Sequence, residues 1–171
     1  EDTTRPPRSH PFWDDDDEET IQEVAAGNPS LPLDVLVQLT KQVPYAVTYN
    51  PSTPAFLLEQ LAQRRHLASA VARHPNAPDT LVVQLAAHRD LHVRWAVARR
   101  SPLTPDLIAQ LAADPTPQIR AEIARRSDLS PELLAQLTGD QDAFVRQRIA
   151  QNPLMPANLL TQLAKDEQER V

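Results

Sequence analysis

A motif built on a Gln-Leu pair recurs six times along the 171-residue chain, and this repeat constrains the fold more than any other feature. The pairs begin at residues 38, 60, 84, 110, 136 and 162, at spacings of 22, 24, 26, 26 and 26 residues. Two aliphatic residues stand two and three positions before each glutamine, as Leu133 and Leu134 do before Gln136. Periods of 20–50 residues are typical of solenoids and related repeat architectures. The sequence therefore predicts one array of small stacked units.

Each copy of the motif predicts two short helices. The first half begins at a proline, often after a serine or threonine, and both residue types favour a helix start. In the second half, as in residues 93–98, aliphatic residues four apart with an alanine beside the second form one apolar stripe. Four residues before the proline that begins each first half stands a small polar or turn-forming residue: Asn28, Asn50, His74, Ser101, Ser127 and Asn152. Helices this short do not persist alone in water, so stability is expected from stacking.

The two halves resemble the leucine-rich repeat variant family. Residues 152–164 carry the pattern NPxxPxxLLxQLA, and residues 114–124 carry a version of DPxxxVRxAVA. The resemblance covers about residues 18–171. It implies an all-α, right-handed superhelical solenoid of about six two-helix repeats, in which α- and 3₁₀-helices alternate without a β-sheet.

The same segments are similar to HEAT repeats in one detail. An acid stands six positions before an arginine, as Asp114 does before Arg120 and Asp140 before Arg146. The founding arrangement of the leucine-rich repeat variant family adds an amino-terminal cysteine cluster that holds iron and sulfur. This chain has no cysteine, so that cofactor is not carried over. The family implies no catalytic residues.

Composition excludes several classes of function. Without cysteine there is no disulfide framework and no cysteine zinc site, and two glycines build neither a GxGxxG turn nor a P-loop. His88 and His92 are four apart but lack a third ligand, so no metal site is predicted. A HEAT-like DNA base-excision enzyme would need an aspartate, a tryptophan and an arginine that converge in one cleft. Trp95, Asp90 and Arg94 are too close in sequence to converge in this way. We expect no enzyme activity, no cofactor and no membrane partner, and a cytoplasmic location.

The net charge of −6 is divided unevenly along the chain. Residues 1–27 hold nine acids and two bases, whereas the rest holds 14 acids and 15 bases. We therefore divide the chain into an acidic tail, 1–17, and the solenoid, 18–171. In the tail, Phe12 and Trp13 precede six consecutive acids. The segment is interpreted either as a solvated tail or as a tethered ligand that Phe12 and Trp13 anchor.

The arginines form two sets. One set recurs every 26 residues, which favours a structural ladder in which each guanidinium bridges an acid or a loop carbonyl: Arg94, Arg120 and Arg146. The other set falls at the ends of the second helices: Arg73, Arg99, Arg100, Arg125 and Arg126. That set is interpreted as solvated helix caps or, alternatively, as a basic edge for an anionic partner. Trp95 is assigned to packing or to the same partner.

The repeated glutamines predict a second structural ladder, in which side-chain amides bond to the backbone of the next repeat: Gln60, Gln84, Gln110 and Gln136. Because the sequence shows no set of residues suited to catalysis, the favoured function is a non-catalytic scaffold that presents a curved surface to another protein. The surface would engage an acidic, aromatic segment of a partner or of the tail. The alternative is nucleic-acid binding through the arginine edge, with Trp95 or Tyr49 stacking on a base.

Overall fold

The structure is a computed structural model that describes residues 20–165. These residues form twelve α-helices and no strand: α1 (Ile21–Ala26), α2 (Leu33–Gln42), α3 (Pro44–Val47), α4 (Ala55–Ala62), α5 (Ala68–Arg73), α6 (Asp79–Ala86), α7 (Leu91–Ala98), α8 (Pro105–Ala112), α9 (Pro117–Ala124), α10 (Pro131–Thr138), α11 (Ala143–Ala150) and α12 (Ala157–Leu163). The predicted all-α repeat array is confirmed over this part of the chain. None of these helices is long and apolar enough to cross a bilayer.

The helices alternate between two kinds. The first helices each contain one Gln-Leu pair; they are α2, α4, α6, α8, α10 and α12. Each second helix is followed by the loop that leads into the next first helix; the second helices are α1, α3, α5, α7, α9 and α11. The family resemblance implies 3₁₀ geometry for the second helices, but the structure shows α-helices there. Their backbone bonds include Val71 N–H to the Leu67 carbonyl at 2.9 Å, an i to i−4 bond.

The aliphatic stripes of both kinds of helix merge into one core that runs from Ala26 to Met155. Leu85, Leu111 and Leu137, which follow three successive repeat glutamines, are all buried in it. The second helices stack on one another, α5 on α7, α7 on α9 and α9 on α11. Because each repeat buries its apolar side chains mainly against its neighbours, the array is stabilised by its inter-repeat contacts.

The starts of α8 and α10 follow the predicted cap chemistry. The Thr104 hydroxyl accepts a hydrogen bond from Leu107 N–H, and the Ser130 hydroxyl accepts one from Leu133 N–H. In α8 and α10 the proline therefore lies one residue inside the helix. In the other first helices the proline is itself the cap residue, as Pro54 is in α4.

Because the cap is the proline in some repeats and the residue before it in others, the distance from the proline does not identify the same polar position in every repeat. Counted from the helix caps, the residues equivalent to Asn50 are His74, Arg100, Arg126 and Asn152. The assignment of Ser101 and Ser127 to this position from their distance to the proline is therefore wrong. Both serines are exposed, one residue beyond the equivalent arginines.

Side chains at this position link each repeat to the one before it, and we call them the carbonyl ladder: Asn50, His74, Arg100, Arg126 and Asn152. The Asn152 amide donates to the Ala124 and Arg126 carbonyls, both at 2.7 Å. Arg126 Nη1 donates in the same way to the Ala98 carbonyl at 3.2 Å and the Arg100 carbonyl at 2.6 Å. Ala98 and Ala124 are the last residues of α7 and α9. The ladder therefore supplies donors to carbonyls that the end of a helix leaves without partners.

The other members bond to their preceding repeats with the same pattern. Arg100 Nη1 donates to the Ala72 and His74 carbonyls at 2.8 and 2.7 Å. His74 Nε2 lies 2.8 Å from the Asn50 carbonyl and donates to it, while His74 Nδ1 accepts from the Asn76 N–H. These two bonds fix the neutral Nε2–H tautomer of a buried imidazole.

The loops between first and second helices carry a ladder of ion pairs. Arg94 binds both carboxylate oxygens of Asp114, at 2.7 and 3.1 Å, and Arg120 binds both of Asp140, at 2.7 and 2.8 Å. Each arginine also donates to a carbonyl six residues earlier, as Arg120 does to Asp114. Arg146 donates to the Asp140 carbonyl at the same offset. The guanidinium groups of Arg94 and Arg120 thus each bridge an acid and a loop carbonyl.

Replacing Asp114 by alanine is expected to destabilise the fold by about 3 kcal/mol, because it leaves the guanidinium of Arg94 largely buried without its carboxylate. Urea denaturation followed by circular dichroism measures the free energy of unfolding. The control is Glu59→Ala on the exposed side of α4, with an expected change of about 0.5 kcal/mol or less. Equal effects of the two substitutions would contradict a structural role for the pair.

Replacing His74 by asparagine is expected to flatten the pH dependence of stability between pH 7.5 and 5.5. Burial lowers the pKa of His74, and the charge of Arg100 lowers it further, against the bond to the Asn50 carbonyl. As the pH falls below about 6.5 the unfolded chain takes up a proton that the folded chain does not, so the native protein loses stability.

Asparagine occupies the equivalent position in Asn50 and Asn152, so His74→Asn is expected to keep the inter-repeat bond. Urea denaturation at several pH values measures the effect. The exposed His92→Asn variant is the control and should still show the loss that His74 causes. A His74→Asn variant with the native pH dependence would show that the imidazole does not titrate as described.

Candidate functional site

The outer surface of the stacked second helices carries the basic and aromatic side chains of the array, and we call it the second-helix face. Residues 49, 73, 99, 125 and 151 are equivalent positions at the carboxyl ends of successive second helices. Three of these positions hold arginines that are exposed to solvent: Arg73, Arg99 and Arg125. We call them the arginine column.

Trp95 lies at the centre of this face and is partly buried in the stack. The guanidinium carbon of Arg99 is 4.6 Å from the centre of the Trp95 ring, and that of Arg73 is 5.8 Å away. Both distances are within the range of a cation–π interaction. Together with Ala96 and Arg100, these side chains line a cavity of about 470 Å³. The indole thus holds two cations at the rim of the cavity.

One acid of the described residues, 20–165, contacts the arginine column. Glu122 lies 3.7 Å from Arg99 and 3.9 Å from Arg125, measured between carboxylate oxygen and guanidinium nitrogen. The side chains of Arg99 and Arg125 remain 55% and 63% exposed, so solvent screens these two pairs. Arg73 has no carboxylate within 4.0 Å among residues 20–165. The column therefore keeps donors available at the surface.

Two aromatic clefts extend the face in both directions. Toward the amino-terminal end, Val24, Tyr45 and Tyr49 line a cleft of about 660 Å³, and the two tyrosine rings meet edge to face with centres 5.1 Å apart. Their hydroxyl groups are 2.8 Å apart. Toward the carboxyl-terminal end, Phe144 carries Arg148 above its ring at 4.9 Å. The face thus alternates aromatic surface with cations over most of the described array.

Sequence reasoning did not assign Tyr45, Phe144 or Arg148 to this face. The periodicity contained the signal for Tyr45, because residues 45 and 95 occupy equivalent positions two repeats apart. Phe144 and Arg148 lie in α11, where α9 has Gln118 and Glu122 at the equivalent positions. The residues at these positions in one repeat therefore do not predict which residues the next repeat places on the second-helix face.

The structure separates the five arginines that the sequence placed on one edge. Arg73, Arg99 and Arg125 lie on the second-helix face. Arg100 and Arg126 belong to the carbonyl ladder, and Arg100 also lines the cavity beside Trp95. Arg126 is also held by Asp128, with two nitrogen–oxygen distances of 2.8 and 2.7 Å. Most of its donors are therefore used within the chain, and its assignment to partner binding stays a prediction.

The predicted glutamine ladder is wrong for three of its four members. Gln60, Gln84 and Gln110 are exposed and make no side-chain hydrogen bond with any residue from 20 to 165. Gln136 makes one long bond, 3.4 Å, to the Ala112 carbonyl. The carbonyl ladder provides the inter-repeat hydrogen bonds that the glutamines were expected to make. Phe12, Trp13 and the acidic tail, 1–17, lie outside the described residues.

The chemistry that this face offers is binding. Guanidinium groups supply forked donors to carboxylates and phosphates, and the aromatic rings supply flat apolar surface beside them. His88 and His92, considered as a metal pair, do not act together: His88 Nδ1 accepts from the Asp90 N–H, and His92 is exposed.

Residues 44–101 match the family model described as Leucine Rich Repeat Variant domain. The match spans α3 to α7 and includes Trp95 and Arg99. It confirms the resemblance to leucine-rich repeat variants, and the helical repeats on both sides of the match continue the same architecture. No curated protein and no solved structure matches the chain significantly.

Proposed function

We propose that this protein is a non-catalytic scaffold that binds an acidic, aromatic protein segment on its second-helix face. The observation that carries the proposal is the exposed arginine column beside the half-buried Trp95. Repeat arrays of this class suggest protein interaction as their general role, because stacking produces an extended surface whose outward side chains are not needed for the core.

The chemistry of the face favours a segment that combines acids with aromatic or apolar residues. In the described part of the chain, residues 20–165, Glu122 is the one acid within 4.0 Å of Arg99 and Arg125, so donors on both arginines are left for carboxylates of a partner. Tyr45, Tyr49 and Phe144 offer apolar contact on either side of the column. Aromatic residues and arginine are the residue types most enriched in protein interfaces.

A segment of this composition exists in the chain itself. Residues 10–19 read HPFWDDDDEE, with Phe12 and Trp13 followed by six acids. The ligand is either this segment or a similar one in another protein. Tethering would give the chain's own segment a local concentration of about millimolar, which is enough to populate weak binding.

The test measures binding of a synthetic peptide with the sequence of residues 10–19 to the full chain by isothermal titration calorimetry. The variant Arg73→Gln/Arg99→Gln/Arg125→Gln is expected to bind at least about tenfold more weakly, since each lost contact between exposed charges is worth about 0.5–1 kcal/mol. Glutamine occupies the same column at residue 151, so the variant is expected to fold.

The matched control is Arg64→Gln/Arg65→Gln/Arg89→Gln, which removes three exposed charges in loops away from the column. It should change the affinity by less than about twofold, since these charges make no direct contact with the peptide and screening weakens their effect. Equal weakening by both variants would contradict a specific site on the second-helix face.

Two further measurements decide between the ligands. A full-length variant with residues 14–19 changed to serine should bind the peptide more tightly than the native chain if the native segment occupies the face. Equal binding assigns the face to a partner. A single-stranded DNA of 20 nucleotides tests the alternative function. Salt-sensitive DNA binding that the arginine column controls, without peptide binding, would replace the proposal by nucleic-acid recognition.

A further inference from the structure

The cavity beside Trp95 has a more specific composition than the rest of the second-helix face. Arg73, Arg99 and Arg100 supply three of its lining residues, and Trp95 and Ala96 supply the others. No acid lines it. We propose that this cavity, which we call the arginine pocket, binds a phosphorylated side chain of the partner protein. The inference rests on the proposed function, because it names the group that anchors the bound segment.

Arg100 is held in place before any ligand binds. Its Nη1 atom donates to the Ala72 and His74 carbonyls at 2.8 and 2.7 Å, so the guanidinium cannot rotate freely. Its Nε and Nη2 atoms make no hydrogen bond to any residue from 20 to 165. Nε and one Nη form the parallel pair of donors that binds two oxygens of a carboxylate or phosphate. Arg100 therefore presents a fixed and unused fork.

The next repeat shows what such a fork binds. Arg126 is equivalent to Arg100 and donates to the equivalent carbonyls, and its Nε and Nη2 atoms both bind Asp128. The residue equivalent to Asp128 in the earlier repeat is Pro102, which has no oxyanion. An oxyanion from a partner would occupy, at Arg100, the position that the Asp128 carboxylate occupies at Arg126.

The charge around the pocket favours a doubly charged ligand. Three cations line it. Within residues 20–165, Glu122 pairs with Arg99 and Arg125 outside the pocket, and the charge of Asp79 acts on Arg100 without an ion pair within 4.0 Å. A phosphate monoester carries a charge of about −1.5 to −2 at pH 7 and three acceptor oxygens, so it pairs with several guanidinium groups at once. A single carboxylate satisfies only one fork.

The test compares three forms of a short acidic peptide that carries serine, glutamate or phosphoserine at its centre. Isothermal titration calorimetry with the full chain measures each affinity. The phosphoserine form is expected to bind at least about tenfold more tightly than the glutamate form, because only the phosphate engages Arg100 together with Arg73 or Arg99. Equal affinity of these two forms would overturn the inference and leave the proposed function standing.

Arg100→Asn is the decisive variant. Asparagine at the equivalent positions 50 and 152 makes the same inter-repeat bonds, so this change is expected to keep the ladder and remove the fork. The advantage of phosphoserine over glutamate should fall to about twofold or less. Arg126→Asn is the matched control, with the same change of residue at the equivalent position, and it should retain the advantage.

Circular dichroism establishes that both variants are folded before binding is compared. If both lose the phosphoserine advantage equally, the effect comes from the ladder or from net charge, and the assignment to Arg100 is overturned. If none of the three peptides binds either the folded native chain or the variant with residues 14–19 changed to serine, both the arginine pocket and the broader proposed function fail.

Discussion

Short helices leave many backbone groups without partners, and this constraint shapes the whole array. The last four carbonyls of a helix have no bond within it, and in an eight-residue helix these are half of all its carbonyls. Stacking second helices brings such carbonyls close to the core, where leaving them unpaired is costly. The carbonyl ladder meets this requirement with one side chain per repeat. Apolar packing and polar hydrogen bonds therefore occur at the same contacts between repeats.

The unpaired carbonyls at helix ends require a hydrogen-bond donor at the ladder position, but they do not require one particular residue type. Asparagine, histidine and arginine all occupy it, because an amide, an imidazole and a guanidinium each direct an N–H at the preceding carbonyls. The choice has consequences for the surface. Asparagine and histidine use their donors for bonds inside the array. Arginine has further donors, which Asp128 binds at Arg126 and which no residue from 20 to 165 binds at Arg100.

The fold was largely predictable because repetition made the pattern redundant. Six copies of one motif specified paired helices, and Leu85, Leu111 and Leu137 were placed in the core correctly. The candidate site was less predictable. Arg99 and Arg100 are neighbours in sequence, yet one lies over Trp95 and the other spans two repeats. A helix end rotates successive side chains to different sides, and only the position of the next repeat determines what each side chain meets.

The glutamines show the opposite case, in which a strict pattern did not imply a contact. Gln60, Gln84 and Gln110 recur at one register and remain exposed, because other side chains already supply the inter-repeat donors. By itself the sequence determined the helical class, the number and length of the repeats and the apolar core, since these follow from periodicity and local propensity. The tertiary structure decided the partners of Arg94, Arg100 and Arg126 and the pocket at Trp95. Those features depend mainly on distances between residues 20 or more positions apart, which no local pattern contains.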